Sequence, residues 1–188
     1  MPAQSSHPLL RVIGLSGSPG GRQSRSRQLM LHALARLERA GHGVRPIDLA
    51  ELPPAGLLGR TTDAEVVRAI DAVVQSDVLV VATPIYRATY SGLLKVFFDL
   101  LPADALVGTV VIPIATGGGP GHLLAIDQGL RPLLASLGAL VVPLGVYGFE
   151  SQFRDGVPDS ALLARVDQAV EQAQVLARAS APTVESEV

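Results

Sequence analysis

Five short, strand-like stretches alternate with longer helical patterns along the chain. The strand-like stretches are Leu10–Leu15, Gly43–Asp48, Asp77–Thr83, Thr109–Thr116 and Leu140–Tyr147. The helical patterns lie between and after them, over Ser24–Ala40, Asp63–Gln75, Ser91–Leu101, His122–Leu137 and Asp159–Ala179. Because strands that alternate with helices form βαβ units, this pattern predicts an α/β protein with a parallel sheet covered by helices on both faces.

The second strand differs from the other four. Those four are nearly continuous apolar runs, as strands covered on both faces require, whereas Gly43–Asp48 is more polar and contains Pro46. A proline cannot donate to a sheet ladder, so this strand is predicted at an edge. The order 2-1-3-4-5 places it there, in a three-layer sandwich. We expect one domain over residues 9–180, with flexible ends at 1–8 and 181–188.

The segment Ser91–Leu101 is apolar around nearly its whole circumference, with Lys95 and Asp99 as its polar pair. A helix of this kind is buried on more than one side. We favour a second subunit as the additional covering surface. The alternative is that loops of the same chain cover it.

Composition and charge narrow the possible functions. A length of 188 residues suits one α/β domain, and 48% hydrophobic with 17% charged residues argues against extensive disorder. A formal net charge of −2 argues against a nucleic-acid-binding protein, which needs a concentrated basic face. The chain has no cysteine, which excludes disulfides, thiolate catalysis and Cys-ligated metals and is compatible with a cytoplasmic location.

Other classes of function are disfavoured as well. No apolar run reaches the roughly 18–20 residues that a membrane span needs, and the first eight residues do not have the pattern of a signal peptide. No cluster of histidines and carboxylates has metal-ligand spacing, so no metal site is expected. A Ser-His-Asp hydrolase built from Ser16 or Ser18, His122 and Asp127 is disfavoured because the G-x-S-x-G motif is absent.

The loop after the first strand, Gly17–Ser26, offers backbone N–H groups, hydroxyls and a helix N-terminus to an anion. Ser24 or Ser26 suits an N-cap, and Arg25 adds a bidentate donor fork. The loop is neither a G-x-G-x-x-G motif nor a P-loop, because its glycine spacing and its end differ from both. It suits a terminal phosphate, and the alternative is an ordinary strand–helix turn with a capping serine.

Two further loops follow the third and fourth strands. After Thr83, the loop Pro84–Gly92 presents two tyrosines and an arginine, and Thr116–His122 contains four glycines that let the backbone approach a flat ligand. The carboxyl ends of parallel strands meet at one edge of the sheet, so we expect the three loops to form one site. A ligand with a phosphate tail and a planar heteroaromatic head would use all three, and FMN is such a ligand.

Several motifs along roughly residues 9–150 occur together in one known family. They are Gly17-Ser18-Pro19 with Ser24-Arg25-Ser26, Thr83-Pro84-Ile85-Tyr86, Ala88, Tyr90-Ser91-Gly92-Leu93-Leu94-Lys95, Asp99-Leu100-Leu101-Pro102, and Thr116-Gly117-Gly118 with His122-Leu123-Leu124-Ala125. In these motifs the chain resembles the NADPH-dependent FMN reductases, most closely the branch that supplies reduced flavin to alkanesulfonate monooxygenases.

The resemblance implies a flavodoxin-like fold, FMN as cofactor or substrate, and NADPH or NADH as the reductant. It also implies a homotetramer or a dimer, a flavin-dependent monooxygenase as a possible partner, and a role in sulfur assimilation. The residues implied to bind FMN are Ser18, Ser24, Arg25 and Ser26 at the phosphate, Pro84, Ile85, Tyr86 and Arg87 along the isoalloxazine, and Thr116, Gly117, Gly118 and Gly119 opposite. No catalytic side chain is expected, because hydride transfer between nicotinamide and flavin needs positioning more than a protein acid or base.

Two functional alternatives stay open, namely a reductase of quinones or azo compounds that retains its FMN and a flavodoxin-type electron carrier. The net charge of −2 gives the carrier little support, because such proteins use a strongly acidic docking face. Among the histidines, His122 is interpreted as a helix cap, and His32 and His42 as solvated. Arg22 and Arg87 are candidates for contact with a nicotinamide nucleotide's 2′-phosphate, against the alternative that both are solvated.

The chain differs from the family at two positions. The phosphate loop between Pro19 and Ser24 is one residue longer, and Gln128 stands where related proteins carry an inserted tyrosine or a histidine. That insertion is associated with a π-type bulge at subunit contacts. Pro132 has no N–H to give to the carbonyl of Gln128, so the helix loses a regular bond here in any case. We therefore expect a bulge near Gln128, at an interface between subunits.

Overall fold

The structure is a computed structural model that describes residues 9–180. Its strands are β1 (Arg11–Ser16), β2 (Gly43–Asp48), β3 (Val78–Tyr86), β4 (Thr89–Tyr90), β5 (Val110–Gly117), β6 (Leu140–Val141), β7 (Val146–Phe149), β8 (Phe153–Arg154) and β9 (Val157–Pro158). Its α-helices are α1 (Arg25–Arg39), α2 (Pro54–Leu57), α3 (Ala64–Val74), α4 (Gly92–Phe98), α5 (Arg131–Ala135) and α6 (Ser160–Ser180). A π-helix spans Ile126–Leu130. The flexible ends predicted at 1–8 and 181–188 lie outside the described residues.

The central sheet is parallel and has the predicted order. β1 pairs with β2 and β3, β5 pairs with β3, and both β6 and β7 pair with β5. Since β6 and β7 together occupy the fifth position, the 2-1-3-4-5 order of a flavodoxin-like fold is confirmed, with β2 at one edge. The short strand β4 turns back antiparallel along the end of β3, and β8 and β9 form a separate hairpin.

Alternate residues of each buried strand face the two helical layers. Val12, Val80 and Ile112 pack with α1 and α6 on one side of the sheet. Leu15 and Leu79 pack with α3, α4 and α5 on the other side. Strands covered on both faces need apolar residues at successive positions, which explains why four of the strands read as continuous apolar runs.

The predicted end of the third strand at Thr83 is wrong. β3 continues through Pro84 to Tyr86, and Pro84 lies opposite Thr116 of β5. The carbonyl of Ala82 accepts the N–H of Gly17, so Ala82 and Pro84 direct their backbone polar groups toward β1. β1 ends opposite Ala82. The donor that proline lacks therefore falls beyond the end of the neighbouring strand, where no ladder bond is lost.

The predicted fifth strand is interrupted between Val141 and Val146. The carbonyl of Val111 accepts the N–H of Val142. Alternate residues of a strand direct their backbone polar groups to the same side, so Val111 and Pro113 both direct theirs toward the fifth strand position. Pro113 cannot donate a hydrogen bond there, and the facing segment itself contains Pro143. Two prolines on facing strands explain why the ladder stops at β6 and resumes at β7.

The helix predicted over His122–Leu137 is irregular, as its proline requires. A 3₁₀ turn over Pro120–His122 precedes the π-helix, and α5 follows it. The N–H of Arg131 donates to the carbonyl of Ile126, five residues back, which is the bond of a π-turn. The predicted bulge around Gln128 is confirmed.

The apolar helix α4 is shorter than predicted and is covered largely by its own chain. Leu94, Phe97 and Phe98 are buried, and Leu93 and Val96 pack partly buried against the same core. Lys95 and Asp99 form an ion pair on the exposed side. Contact with a second subunit stays a prediction.

Candidate functional site

A cleft of about 320 Å³ opens at the carboxyl ends of β1, β3 and β5. The three loops predicted to form one site all line it, which confirms their predicted convergence. The lining residues are Ser18, Gly20, Gln23, Ser24, Arg25, Pro84, Ile85, Tyr86, Thr116, Gly117 and Gly118.

One end of the cleft is formed by the loop after β1 and the N-terminus of α1. Ser24 is the N-cap, because its hydroxyl accepts the N–H of Arg27 at 3.3 Å. The first N–H groups of a helix have no partner within the helix, and those of Arg25 and Ser26 make no hydrogen bond among residues 9–180. The Ser18 hydroxyl accepts the N–H of Gly20 at 3.2 Å. This end of the cleft combines free N–H donors with hydroxyls.

Arg25 brings a full positive charge to the same end. Its guanidinium lies 5.3 Å from the ring centre of Phe153, a cation–π distance. Its Nη2 is 3.4 Å from Oε1 of Glu150, which follows directly after β7. Arg25 is thus held at the cleft from two sides, by an aromatic face and by a carboxylate.

The middle of the cleft is bounded by the hairpin of β3 and β4. The turn residues Arg87 and Ala88 have φ of 52° and 72°, a left-handed conformation that L side chains rarely adopt. Positive φ at both central residues is typical of a type I′ turn, whose twist matches that of a two-residue hairpin. Tyr86, just before the turn, is 52% exposed and lies at the cleft.

Ser91 fixes the base of this hairpin, although sequence analysis did not single it out. Its N–H donates to Oγ1 of Thr83 at 3.0 Å. Its hydroxyl donates to the carbonyl of Gly17 and accepts the N–H of Leu94 at 3.0 Å. The buried hydroxyl therefore joins the loop after β1 to the start of α4, and the backbone N–H of the same residue joins both to the base of the hairpin. A serine directly before an apolar helical run was the sequence signal for this N-cap.

The other wall of the cleft is the glycine-rich loop after β5. The hydroxyl of Tyr147 donates to the carbonyl of Gly119 at 2.6 Å, and burial raises the pKa of this hydroxyl, so it stays a donor at neutral pH. A Cβ on Gly117 would overlap the same hydroxyl, whereas one on Gly118 would meet no atom within 4 Å. The chain thus supports this wall from behind and leaves its front open.

Three of the predicted site residues do not line the cleft. The Ser26 side chain is buried, with its hydroxyl 2.9 Å from that of Ser24. Arg87 lies in the exposed hairpin turn, and Gly119 faces Tyr147. Gly20 and Gln23 line the cleft without having been predicted. Their position inside the loop between Ser18 and Ser24 was the available signal.

The histidine interpretations are wrong in several respects. His122 makes no side-chain hydrogen bond among the described residues and does not cap a helix. Its ring lies beside Gly117, since a Cβ added to that glycine would be 3.4 Å from its Nδ1. His32 is not simply solvated, because its Nε2 lies 2.8 Å from Asp167. His42 accepts the N–H of Leu10 at 3.4 Å, and burial lowers the pKa of its ring.

Competing site chemistries find no support in residues 9–180. Asp127 of the hypothetical hydrolase triad is paired with Arg131 at 2.7 Å, and Ser16 is fully buried. No group of histidine, aspartate and glutamate side chains in this range could hold a metal ion. No helix within it is long and apolar enough to cross a membrane.

The cleft fits a phosphorylated, planar ligand. Free N–H groups at a helix N-terminus with an adjacent arginine are an anion site, and both features occur at the Ser18–Arg25 end. The open front of Gly118 leaves room for a flat ring against the backbone. No carboxylate is among the residues that line the cleft, although that of Glu150 contacts Arg25 at 3.4 Å.

Comparison with known proteins points to one family. The family described as NADPH-dependent FMN reductase matches residues 10–154. An NADH-dependent FMN reductase, SfnF, from Pseudomonas fluorescens is 39% identical over 89% of this chain and 91% of its own. An FMN reductase (NADPH) from Escherichia coli is 42% identical over 78% and 76%. The apo crystal structure of an NADH:FMN oxidoreductase, EmoB, has a TM-score of 0.80 at 39% identity, covering 88% of this chain and 89% of its own.

Proposed function

The chain belongs to the NADPH-dependent FMN reductase family, and we propose that it reduces FMN in the cleft between the loops that follow β1, β3 and β5. Its family makes it an oxidoreductase that acts on FMN and NAD(P)H.

The observation that carries the proposal is the arrangement of donors along the cleft. Arg25 and the free N–H groups of α1 lie at one end, and the open glycine wall at Gly118 lies along another side. We assign the flavin phosphate to the first feature, with Ser18 and Ser24, and the isoalloxazine to the space bounded by Pro84–Tyr86 and Thr116–Gly118. Ser26 contributes its backbone N–H, because its side chain is buried and its hydroxyl is bonded to that of Ser24.

The protein's part in the reaction is binding and orientation. Bound FMN would supply the chemistry, by accepting at N5 a hydride from the nicotinamide of NADPH or NADH. The hairpin tyrosine Tyr86, half exposed at the cleft, would limit the space in which a nicotinamide can stack. Backbone N–H groups of the glycine wall would stabilise negative charge on the reduced ring without moving, because the Tyr147 hydrogen bond holds the loop.

The function is tested by mixing protein, FMN and either nicotinamide nucleotide under anaerobic conditions. We expect loss of the visible flavin absorbance together with oxidation of the nucleotide, and the same assay shows whether NADPH or NADH is preferred. Nucleotide oxidation that requires a quinone or azo acceptor and ignores free FMN would contradict the proposal and favour a reductase that retains its flavin. Absence of oxidation with any acceptor would favour an electron carrier.

The fate of the product and the assembly state are further parts of the proposal. The cleft is open to solvent, which favours release of reduced FMN. The acceptor of the released flavin would be a flavin-dependent monooxygenase in the cytoplasm. The role would be the sulfur assimilation that the motifs imply. Leu123 and Leu124, just before the π-helix, are 48% and 55% exposed. Adjacent exposed leucines beside an irregular helical turn support a subunit contact there, in a homotetramer built from two-fold interfaces.

A further inference from the structure

The carboxylate of Glu150 lies beside Arg25, the residue to which we assign the flavin phosphate. Glu150 opens the 3₁₀ turn Glu150–Gln152, directly after β7 and at the same sheet edge as the cleft. Its Oε1 is 3.4 Å from Nη2 of Arg25, but it is not among the residues that line the cleft. A negative charge therefore lies next to Arg25, the positive charge at this end of the cleft.

The position of Glu150 is fixed by its own turn. The side-chain oxygen of Gln152 accepts the N–H of Phe149 at 3.2 Å, and the backbone carbonyl of Gln152 accepts the N–H of Asp159 at 2.8 Å. Phe149 pairs with Gly117 of the glycine wall in the sheet register. The turn that carries Glu150 is thus tied to the same strands as the cleft.

The ion pair contributes little to the stability of the fold. The side chains of Arg25 and Glu150 are 39% and 69% exposed, and exposed pairs at this distance add almost nothing to stability. The ring of Phe153 holds the Arg25 guanidinium from another side, so Arg25 keeps one of its two contacts when Glu150 is replaced. Glu150 therefore has more influence on ligand binding by Arg25 than on the stability of the fold.

We propose that Glu150 is a specificity-determining residue that lowers the affinity of the cleft for the phosphate of FMN and so favours exchange of the flavin. This inference rests on the proposed function. Glu150 occupies one nitrogen of the Arg25 guanidinium, which a phosphate would otherwise use in a bidentate contact. A phosphate bound to Arg25 would share its guanidinium with the Glu150 carboxylate, so the two anions would lie within about one Debye length, roughly 8 Å at physiological salt.

The prediction is sharpest when FMN is compared with riboflavin, which has the same ring and no phosphate. In Glu150→Gln, we expect the Kd for FMN to fall about 3- to 10-fold and the dissociation rate of FMN to fall with it, since the competing charge is gone. The Kd for riboflavin should change less than about twofold. The difference between wild type and variant should shrink at high salt, because the effect is electrostatic.

Glu65→Gln is the matched control. Glu65 is an exposed residue in the first turn of α3, outside the cleft, and its substitution changes the net charge by the same amount. It should leave the Kd for FMN unchanged. Glu150→Ala is the second variant at the site itself and should tighten FMN binding in the same direction.

The outcomes separate this inference from the function. If the wild type binds and reduces FMN and Glu150→Gln binds it equally or more weakly, the inference is overturned and the function stands. Equal tightening for FMN and riboflavin also overturns it, because Glu150 would then act on the ring. A wild-type protein that binds no FMN overturns the inference and the proposed function together.

Discussion

The hydroxyl of Tyr147 donates a 2.6 Å hydrogen bond to the carbonyl of Gly119, and so fixes the glycine wall of the cleft from behind. Tyr147 belongs to β7 and is nearly fully buried, whereas Gly119 belongs to the loop after β5. Gly117–Gly119 has no side chains that could hold it in place. Its position therefore depends on the Tyr147 hydroxyl from the neighbouring strand.

Tyr147→Phe should loosen this wall while it preserves the packing of the ring. A neutral hydrogen bond contributes about 0.5–1.5 kcal/mol, so the Kd for FMN should rise by roughly 2- to 10-fold. The variant should stay folded, because only one hydroxyl is removed. Titration of flavin fluorescence measures the change, and an unchanged Kd would show that the loop is held by other contacts.

Gly117→Ala should lower the stability of the fold, whereas Gly118→Ala should lower FMN affinity without lowering stability. A Cβ at Gly117 would overlap the Tyr147 hydroxyl, so this variant should lose about 1–3 kcal/mol of unfolding free energy. A Cβ at Gly118 meets no protein atom within 4 Å and points into open space at the cleft. Gly118→Ala should therefore keep its stability and lose FMN affinity. Equal stabilities for the two variants would contradict the prediction, as would unchanged FMN binding in Gly118→Ala.

Arg25→Ala should weaken FMN binding and leave the fold intact. Loss of a hydrogen bond to a charged group costs about 1.5–3 kcal/mol, or roughly 10- to 150-fold in Kd. Riboflavin binding should change little. Arg22→Ala is the control, because Arg22 lies in the same loop, is 83% exposed in its side chain and pairs with Glu51 rather than lining the cleft. Unchanged FMN affinity in Arg25→Ala would place the phosphate elsewhere.

Most of this arrangement could be predicted from the sequence, because hydrophobic patterning determines which segments become strands and the carboxyl ends of parallel strands must meet. Pro132 likewise predicted the irregular helix, since a missing donor is a local property. The prolines in the sheet were harder to interpret. Pro84 is tolerated only because β1 has already ended opposite Ala82, and that depends on strand register.

The contacts behind the cleft could not be predicted for the same reason. Glu150 lies 125 residues along the chain from Arg25, and Tyr147 lies 28 residues from Gly119. No local motif marks either pair as partners. The Tyr147–Gly119 contact depends on the register of β5 against β7, and the Arg25–Glu150 contact depends on where the start of α1 packs beside the end of β7. Side-chain periodicity specifies neither. The sequence therefore predicted most of the residues that line the cleft and did not predict the residues that contact them from outside it.

His42 should make stability depend on pH. Its Nδ1 accepts the N–H of Leu10, and its pKa is lowered from 6.5 by burial and by the charge of Arg178. Because the folded-state pKa lies below the unfolded value, the unfolded state binds more protons as the pH falls. This contribution is complete above pH 6.5 and is lost as the pH falls through the folded-state pKa.

The test compares urea unfolding of wild type and His42→Gln at several pH values above and below 6.5. Glutamine can still accept the Leu10 N–H but does not titrate in this range. The wild type should lose more unfolding free energy on acidification than the variant, and the difference isolates His42 from the carboxylates that both proteins share. Identical pH profiles would show that His42 does not contribute to the pH dependence of stability.

The last prediction concerns assembly through the surface beside the π-helix. Leu123 and Leu124 are about half exposed, and Tyr86 is 52% exposed at the neighbouring hairpin. The π-helix packs directly on that hairpin, since a Cβ on Gly129 would lie 2.8 Å from Oγ1 of Thr89. An interface on the leucines would therefore press on an element that bounds the cleft, so assembly and FMN binding should be coupled.

Light scattering of the wild type should give four times the chain mass of 19.6 kDa. Leu124→Asp should reduce this mass and weaken FMN binding in parallel, because a carboxylate cannot be buried unpaired in an apolar contact. Val175→Asp is the control, since Val175 is 64% exposed on α6, on the opposite helical layer. A monomeric wild type at micromolar concentration would contradict the oligomer. A Leu124→Asp protein that dissociates and binds FMN unchanged would leave the oligomer and refute its coupling to the cleft.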